Sequence, residues 1–125
     1  LPHSPLEMIC KNYENNLHTL VLLDLDPTGM GVNNPKPMKP DEAISLLARM
    51  VGKILEETST FEILKKPVDE WDGILLTDIS MVEQKVTAGN LSQLSKLKEG
   101  WIHCMIIPSN MNDNELEAFE RRKNC

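Results

Sequence analysis
No apolar stretch in this sequence approaches the about eighteen residues that a membrane-spanning helix needs. The longest are Leu20-Val21-Leu22-Leu23 and Met105-Ile106-Ile107, so a membrane is not an expected partner. Basic charge is also in short supply: 13 lysines and arginines stand against 19 aspartates and glutamates, a formal charge of -6. Binding a nucleic-acid backbone depends on neutralising phosphates, and nucleic acid is therefore set aside as a partner. Cysteine is limited to Cys10, Cys104 and Cys125, with no C-x-x-C pair, and they cannot all be paired within one chain. That usage fits a reducing compartment, and the cytoplasm is the expected location. Neither G-x-G-x-x-G nor G-x-x-x-x-G-K-[ST] occurs; the glycines of "GMGVNN" precede a proline-rich stretch, not a helix, which excludes mononucleotide binding by those routes. A starting methionine and a signal-peptide apolar region are missing too, so the opening "LPHSP" is expected to belong to a processed chain or to a piece of a longer one.

What is present is an ordinary globular composition, 41% apolar and 26% charged over 125 residues. That length suits one domain, able to bury roughly two-thirds of the surface of its unfolded form. "SPLEMICKNYENN" has Ser4 as N-cap, Pro5 at the first helical position and Glu7 placed to return the hydrogen bond, which predicts a helix. It leads into "LHTLVLLDL", whose β-branched and leucine-rich centre predicts a strand buried on both faces and paired in parallel. From Pro27 to Pro40, glycine, asparagine and proline predict a long irregular loop. Beyond it Ala43, Leu47, Met50 and Ile54, with Ile44, Leu46, Val51 and Leu55, recur at helical spacing behind Asp41 and Glu42. "WDGILLTDI" and "WIHCMIIP" read as interior strands, and "EQKVTAG" as a short neighbour. A short helix is expected from near Asn90, and a last one where Asn112 and Glu115 form a capping pair and Leu116 and Phe119 face inward. Strands alternating with helices predict an α/β domain with a mixed, mostly buried sheet flanked by helices.

Several constellations invite a chemical reading. "DLDPT", with Asp24 and Asp26, matches the D-x-D-x-T of haloacid-dehalogenase-like phosphatases, in which the first carboxylate attacks phosphorus. Such an enzyme also needs lysine and acidic partners for phosphate and magnesium; Asp72 and Asp78 are the available candidates, and a solvated turn at a strand's end explains the aspartates more simply. His18 and His103 each open an apolar strand, but without a third ligand at zinc spacing no metal is expected. Cys10 and Cys104 sit among apolar neighbours, where an inert thiol is the common state. Trp71 and Trp101 read equally well as partner anchors or as buried residues at the sheet edge. The basic "ERRKN" suits a helix C-terminus.

Taken in order and spacing, "NNLHTLVLLDLD", "MKPDEAISLL", "EQKVTAGNLSQL" and "GWIHCMIIPSNMNDNELEAF" resemble the C-terminal half of the diphthine synthase family, with "SPLEMICKNYENN" similar to the helix linking its two halves. The resemblance covers nearly the whole chain, and it explains Asp24 as the start of a strand's exit loop. It implies the C-terminal-domain fold of the tetrapyrrole methylases and an S-adenosylmethionine-dependent methyltransferase, releasing S-adenosylhomocysteine. The implied substrate is the modified histidine of elongation factor 2, on the way to diphthamide. It also implies an N-terminal domain that is absent here, a homodimer at full length, and an inactive isolated fragment, with residues 1–16 including the linking helix. Carried over by position, Leu23 at the end of the first strand, Ile79 after the second and His103 opening the third fall where that family contacts the cofactor; core packing explains each of them equally well. No catalytic side chain is implied, because methyl transfer from a sulfonium asks the protein to align donor and acceptor and exclude water.

The chain departs from the family pattern at "LLTDISMVEQ": Leu75, Thr77, Asp78 and Ser80 replace a run of glycines, alanine and arginine. Lost glycines remove close backbone approach, and aspartate for arginine reverses a charge. The alternative reading is a non-catalytic binding or dimerisation module of the same fold.

Overall fold
The computed structural model describes residues 5–22, 38–55, 61–78, 81–98, 100 and 103–123. Helix α1 (Pro5–Glu14) starts at the proline, as predicted, and leads to strand β1 (Thr19–Leu22). Helix α2 (Pro40–Leu55) carries Asp41 and Glu42 in its first turn and buries Ala43, Ile44, Leu47 and Val51 along one stripe. Two 3₁₀ turns, Glu62–Lys65 and Val68–Glu70, then bring the chain to β2 (Asp72–Thr77), β3 (Lys85–Asn90), α3 (Leu91–Leu94), β4 (His103–Ile107) and α4 (Asp113–Arg121).

The strands form one sheet in the order β1-β4-β2-β3. Central β2 and β4 are the two runs read as interior strands, and "EQKVTAG" supplies the neighbour β3. Side chains alternate between faces along each strand. Leu75, Met105 and Ile107, all at most 2% exposed, point to the face covered by α1, α2 and α3, where Leu6, Ile9, Ile44, Leu47, Leu91 and Leu94 complete the core. Gly73 lets α3 settle closely: a Cβ there would lie 2.6 Å from Leu91 Cδ2 and 2.9 Å from Leu94 Cδ1. Trp71 is buried beside this core, and its indole N–H is directed at the carbonyl oxygens of Ile63 and Lys66, each 3.0 Å away. Its burial settles the two readings in favour of packing; Trp101 lies outside the described residues.

The α/β domain with a helix-flanked sheet is as expected, but the pairing direction is not. β1 runs antiparallel to β4 (Val21 opposite Met105), β4 to β2 (Leu75 opposite Met105) and β2 to β3 (Leu75 opposite Thr87). A parallel contact occurs only as the isolated bridge between Ala88 and Lys123 among the described residues. Nor is β1 buried on both faces: it is an edge strand, with Leu20 58% and Leu22 61% exposed. A short leucine run carries no alternation from which burial on one face or two can be told. Its direction is set by a partner strand that arrives only near residue 105. In α4 the predicted capping box is present and Phe119 is buried, but Leu116, expected to face inward, is exposed.

Candidate functional site
Because β1 and β2 are both antiparallel to β4, their C-terminal ends lie on either side of the residues that open β4. Leu22 is opposite Cys104, and Thr77 is opposite His103. Leu23 and Ile79 lie outside the described residues, but the strands that lead into them end at this same edge of the sheet. Of the predicted cofactor contacts, His103 alone has a described side chain, and that imidazole is 1% exposed. Its Nδ1 is 3.2 Å from Thr77 Oγ1. Burial lowers its pKa from the ordinary histidine value; nearby Lys39 adds to the effect and Asp78 opposes it. The ring is therefore held neutral beside a carboxylate.

Two backbone positions shape the surroundings. Asp78 leaves β2 with φ 49°, a left-handed conformation that aspartate tolerates better than most residues. Gly100 has φ 92°, and a Cβ there would fall 2.0 Å from Thr77 Cγ2, 3.2 Å from His103 Cε1 and 3.3 Å from Asp78 Oδ2. Only glycine closes over the histidine in this way. Outside this lid opens a cleft of 580 Å³ walled by Thr77, Asp78, Thr87, Leu97 and Gly100, with Lys85, Lys96 and Lys98 at its rim. The departures from the family pattern thus have distinct fates: Leu75 is core, whereas Thr77 and Asp78 line the cleft. Gly100 escaped the sequence reading; its signal was a glycine just before an apolar strand.

The other candidates separate. Antiparallel pairing of β1 with β4 sends His18 and His103 to opposite ends of the sheet. His18 Nδ1 accepts the Ser109 N–H at 2.9 Å, and its Nε2 lies 2.8 Å from Glu115 Oε2. No group of three metal-ligating side chains occurs among the described residues. Asp24 and Asp26 lie outside them, Asp72 is exposed on β2, and Asp78 is buried beside His103, so the two supporting acids of the phosphatase reading do not converge. Cys10 is fully buried; that burial, with Glu14 and Glu7 nearby, pushes its thiol up to about 11, which keeps it protonated and unreactive. Cys104 is partly exposed, and Cys125 lies outside the described residues. Among the described residues no helix is long and apolar enough to cross a membrane.

No family model matches the chain. Over 121 residues, 96% of this chain, it is 28% identical to the diphthine synthase of Methanocorpusculum labreanum, covering 41% of that protein. The diphthine synthase of Methanosphaera stadtmanae is 29% identical over 94% of this chain and 40% of its own. Among solved structures, a protein of Entamoeba histolytica assigned as a diphthine synthase superposes with a TM-score of 0.77 at 25% identity, over 99% of this chain and 46% of its own. The resemblance read from the quoted segments therefore holds along nearly the entire sequence: this chain is similar to the diphthine synthases, and spans about 40% of the curated relatives it matches.

Proposed function
We propose that this chain is the C-terminal domain of an S-adenosylmethionine-dependent methyltransferase, one that methylates the modified histidine of elongation factor 2 during diphthamide biosynthesis in the cytoplasm. The full-length protein is a homodimer in this reading, and the fragment does not turn over by itself. The observation that carries it is the similarity to diphthine synthases along 94–96% of the chain. The strand-end geometry is compatible with it, since the strands leading to Leu23 and Ile79 flank the start of β4 at His103.

The residues present fit a nucleoside sulfonium in kind. Gly100 packs its backbone against Thr77 and His103 at the cleft's edge, Leu97 offers an apolar wall, and Thr77 and Thr87 bring hydroxyls to the cleft. When bound, the cofactor supplies the methyl group and leaves as S-adenosylhomocysteine. The task of this chain is to orient and to exclude water. Leu23, Ile79 and His103 are the residues that would contact the nucleoside in this reading, and the neutral His103 ring, 3.2 Å from Thr77 Oγ1, would steady the start of β4 there. Neutrality matters because a cationic imidazole would repel a sulfonium in a desolvated site.

The test joins this chain to the part of the Methanocorpusculum labreanum protein that it does not span. Transfer of labelled methyl to elongation factor 2 bearing the modified histidine is then measured. The joined protein is expected to transfer methyl groups and the fragment alone is not. A joined protein that folds and dimerises yet transfers nothing favours the binding or dimerisation module instead.

A further inference from the structure
The cleft beside His103 does not end at its own rim. It shares Lys85 and Thr87 with a second cleft of 400 Å³ along the outer strand β3, which in turn shares Val86 and Arg122 with a third of 320 Å³ under α4. The shared residues set the three side by side around the β3 edge, and together they are called the groove. Its lining changes character along the way. Lys85, Lys96, Lys98, Arg121, Arg122 and Lys123 line the first two parts, where the acidic groups are Asp78 and Glu83. The third part is an apolar slot between the sheet's Ile74, Val86 and Ile106 and α4's Ala118 and Phe119, with Glu115 at one end. Six of the chain's 13 basic residues thus collect on one track of a molecule whose formal charge is -6. Lys98, Arg121 and Lys123 are paired with Asp41, Glu117 and Glu120, all at exposed positions. Lys85, Lys96 and Arg122 have no ion-pair partner among the described residues.

We propose that the outer part of this groove, beyond the nucleoside cleft, docks an extended acidic segment of a protein partner, with its carboxylates on Lys85, Arg121, Arg122 and Lys123 and one aliphatic side chain in the slot under α4. Charge complementarity selects the acidic segment, and the slot selects a polypeptide over a polyphosphate. A nucleic acid would need a platform for its bases, whereas Phe119 is 4% exposed and cannot stack on one. The overall negative charge would also repel a polyanion that extends beyond the groove.

The experiment titrates the full 125-residue chain into fluorescently labelled probes, read by anisotropy at low and high salt. The probes are a short aspartate- and glutamate-rich peptide with a central leucine, the same peptide with alanine there, a lysine-rich counterpart, a single-stranded oligonucleotide and an anionic phospholipid vesicle. The leucine-bearing acidic peptide is expected to bind most tightly, to lose about tenfold with alanine at its anchor, and to weaken with salt. Lys85→Glu and Arg122→Glu, at exposed side chains, are each expected to weaken it by about tenfold while the circular dichroism spectrum stays the same. The proposal is overturned if the lysine-rich peptide, the oligonucleotide or the vesicle binds as well, or if both charge reversals leave the affinity unchanged.

Discussion

His103 shows how much one side chain can reveal about its surroundings. It is nearly inaccessible, it reaches Thr77 through Nδ1, and Gly100 lies over it without a Cβ. Burial holds the ring neutral, so its folded pKa lies below the unfolded value near 6.5. The sign of the consequence follows from proton counting. Between the two pKa values the unfolded chain binds a proton that the folded one does not, so the histidine's contribution is complete above pH 6.5 and is lost as pH falls through the folded value. Glu115 and Asp41, whose pKa values are lowered by hydrogen bonds, act in the same direction but below 4.5 and 3.8. Urea midpoints measured from pH 7 downward should therefore fall in two stages, and His103→Gln should remove the upper one while leaving the lower. A wild-type midpoint that stays flat until the carboxylates titrate would show that the imidazole is not held neutral. Gly100 explains why the sequence identified this histidine but not what surrounds it: the position was readable from its place before an apolar run, whereas its lid depends on a φ of 92° that no pattern of residue types announces.

At the scale of elements, the legible signals are local ones: capping residues three apart and the helical spacing of apolar residues along α2. Asn112 accepts from the Glu115 N–H at 2.8 Å while the Glu115 carboxylate accepts from the Asn112 N–H at 3.0 Å, and Asn90 with Gln93 repeats the arrangement at α3. Glu115 does more than cap. Its other oxygen is 2.8 Å from His18, which ties the first turn of α4 to the start of β1. Asn112→Ala should cost about 1 kcal/mol in urea denaturation. Hydrogen exchange should locate that loss, with α4 amides exchanging faster and α2 amides unchanged. Equal acceleration in both helices would mean that α4 opens only with the whole domain. What stayed illegible needed a distant partner. The leucine run marks the place of β1 but not its pairing direction, because nothing within four residues encodes the strand that arrives some eighty positions later. The two 3₁₀ turns, which place carbonyls of Ile63 and Lys66 on the Trp71 indole, left no periodic trace at all.

For the molecule as a whole, the sheet presents two unlike faces made from equally apolar residue types. One carries Leu75 and Met105, each 1% exposed under α1, α2 and α3. The other carries Leu20 and Leu22 beside Ile106 and Cys104, and α4 covers only its far side, around Ile74 and Ala88. Leucine on one face and leucine on the other should thus respond differently to substitution. Leu75→Ala removes atoms from a filled core and should cost about 2–5 kcal/mol. Replacing Leu20 and Leu22 together by threonine puts a β-branched, strand-favouring residue at two exposed sites, and should change stability by no more than about 0.5 kcal/mol. The same double variant should lower binding of a hydrophobic dye and reduce any concentration-dependent association seen by sedimentation, since it removes the two most exposed leucines among the described residues. If the double threonine variant instead unfolds as readily as Leu75→Ala, then β1 is covered in the folded chain and the sheet is buried on both sides after all, as the leucine run first suggested.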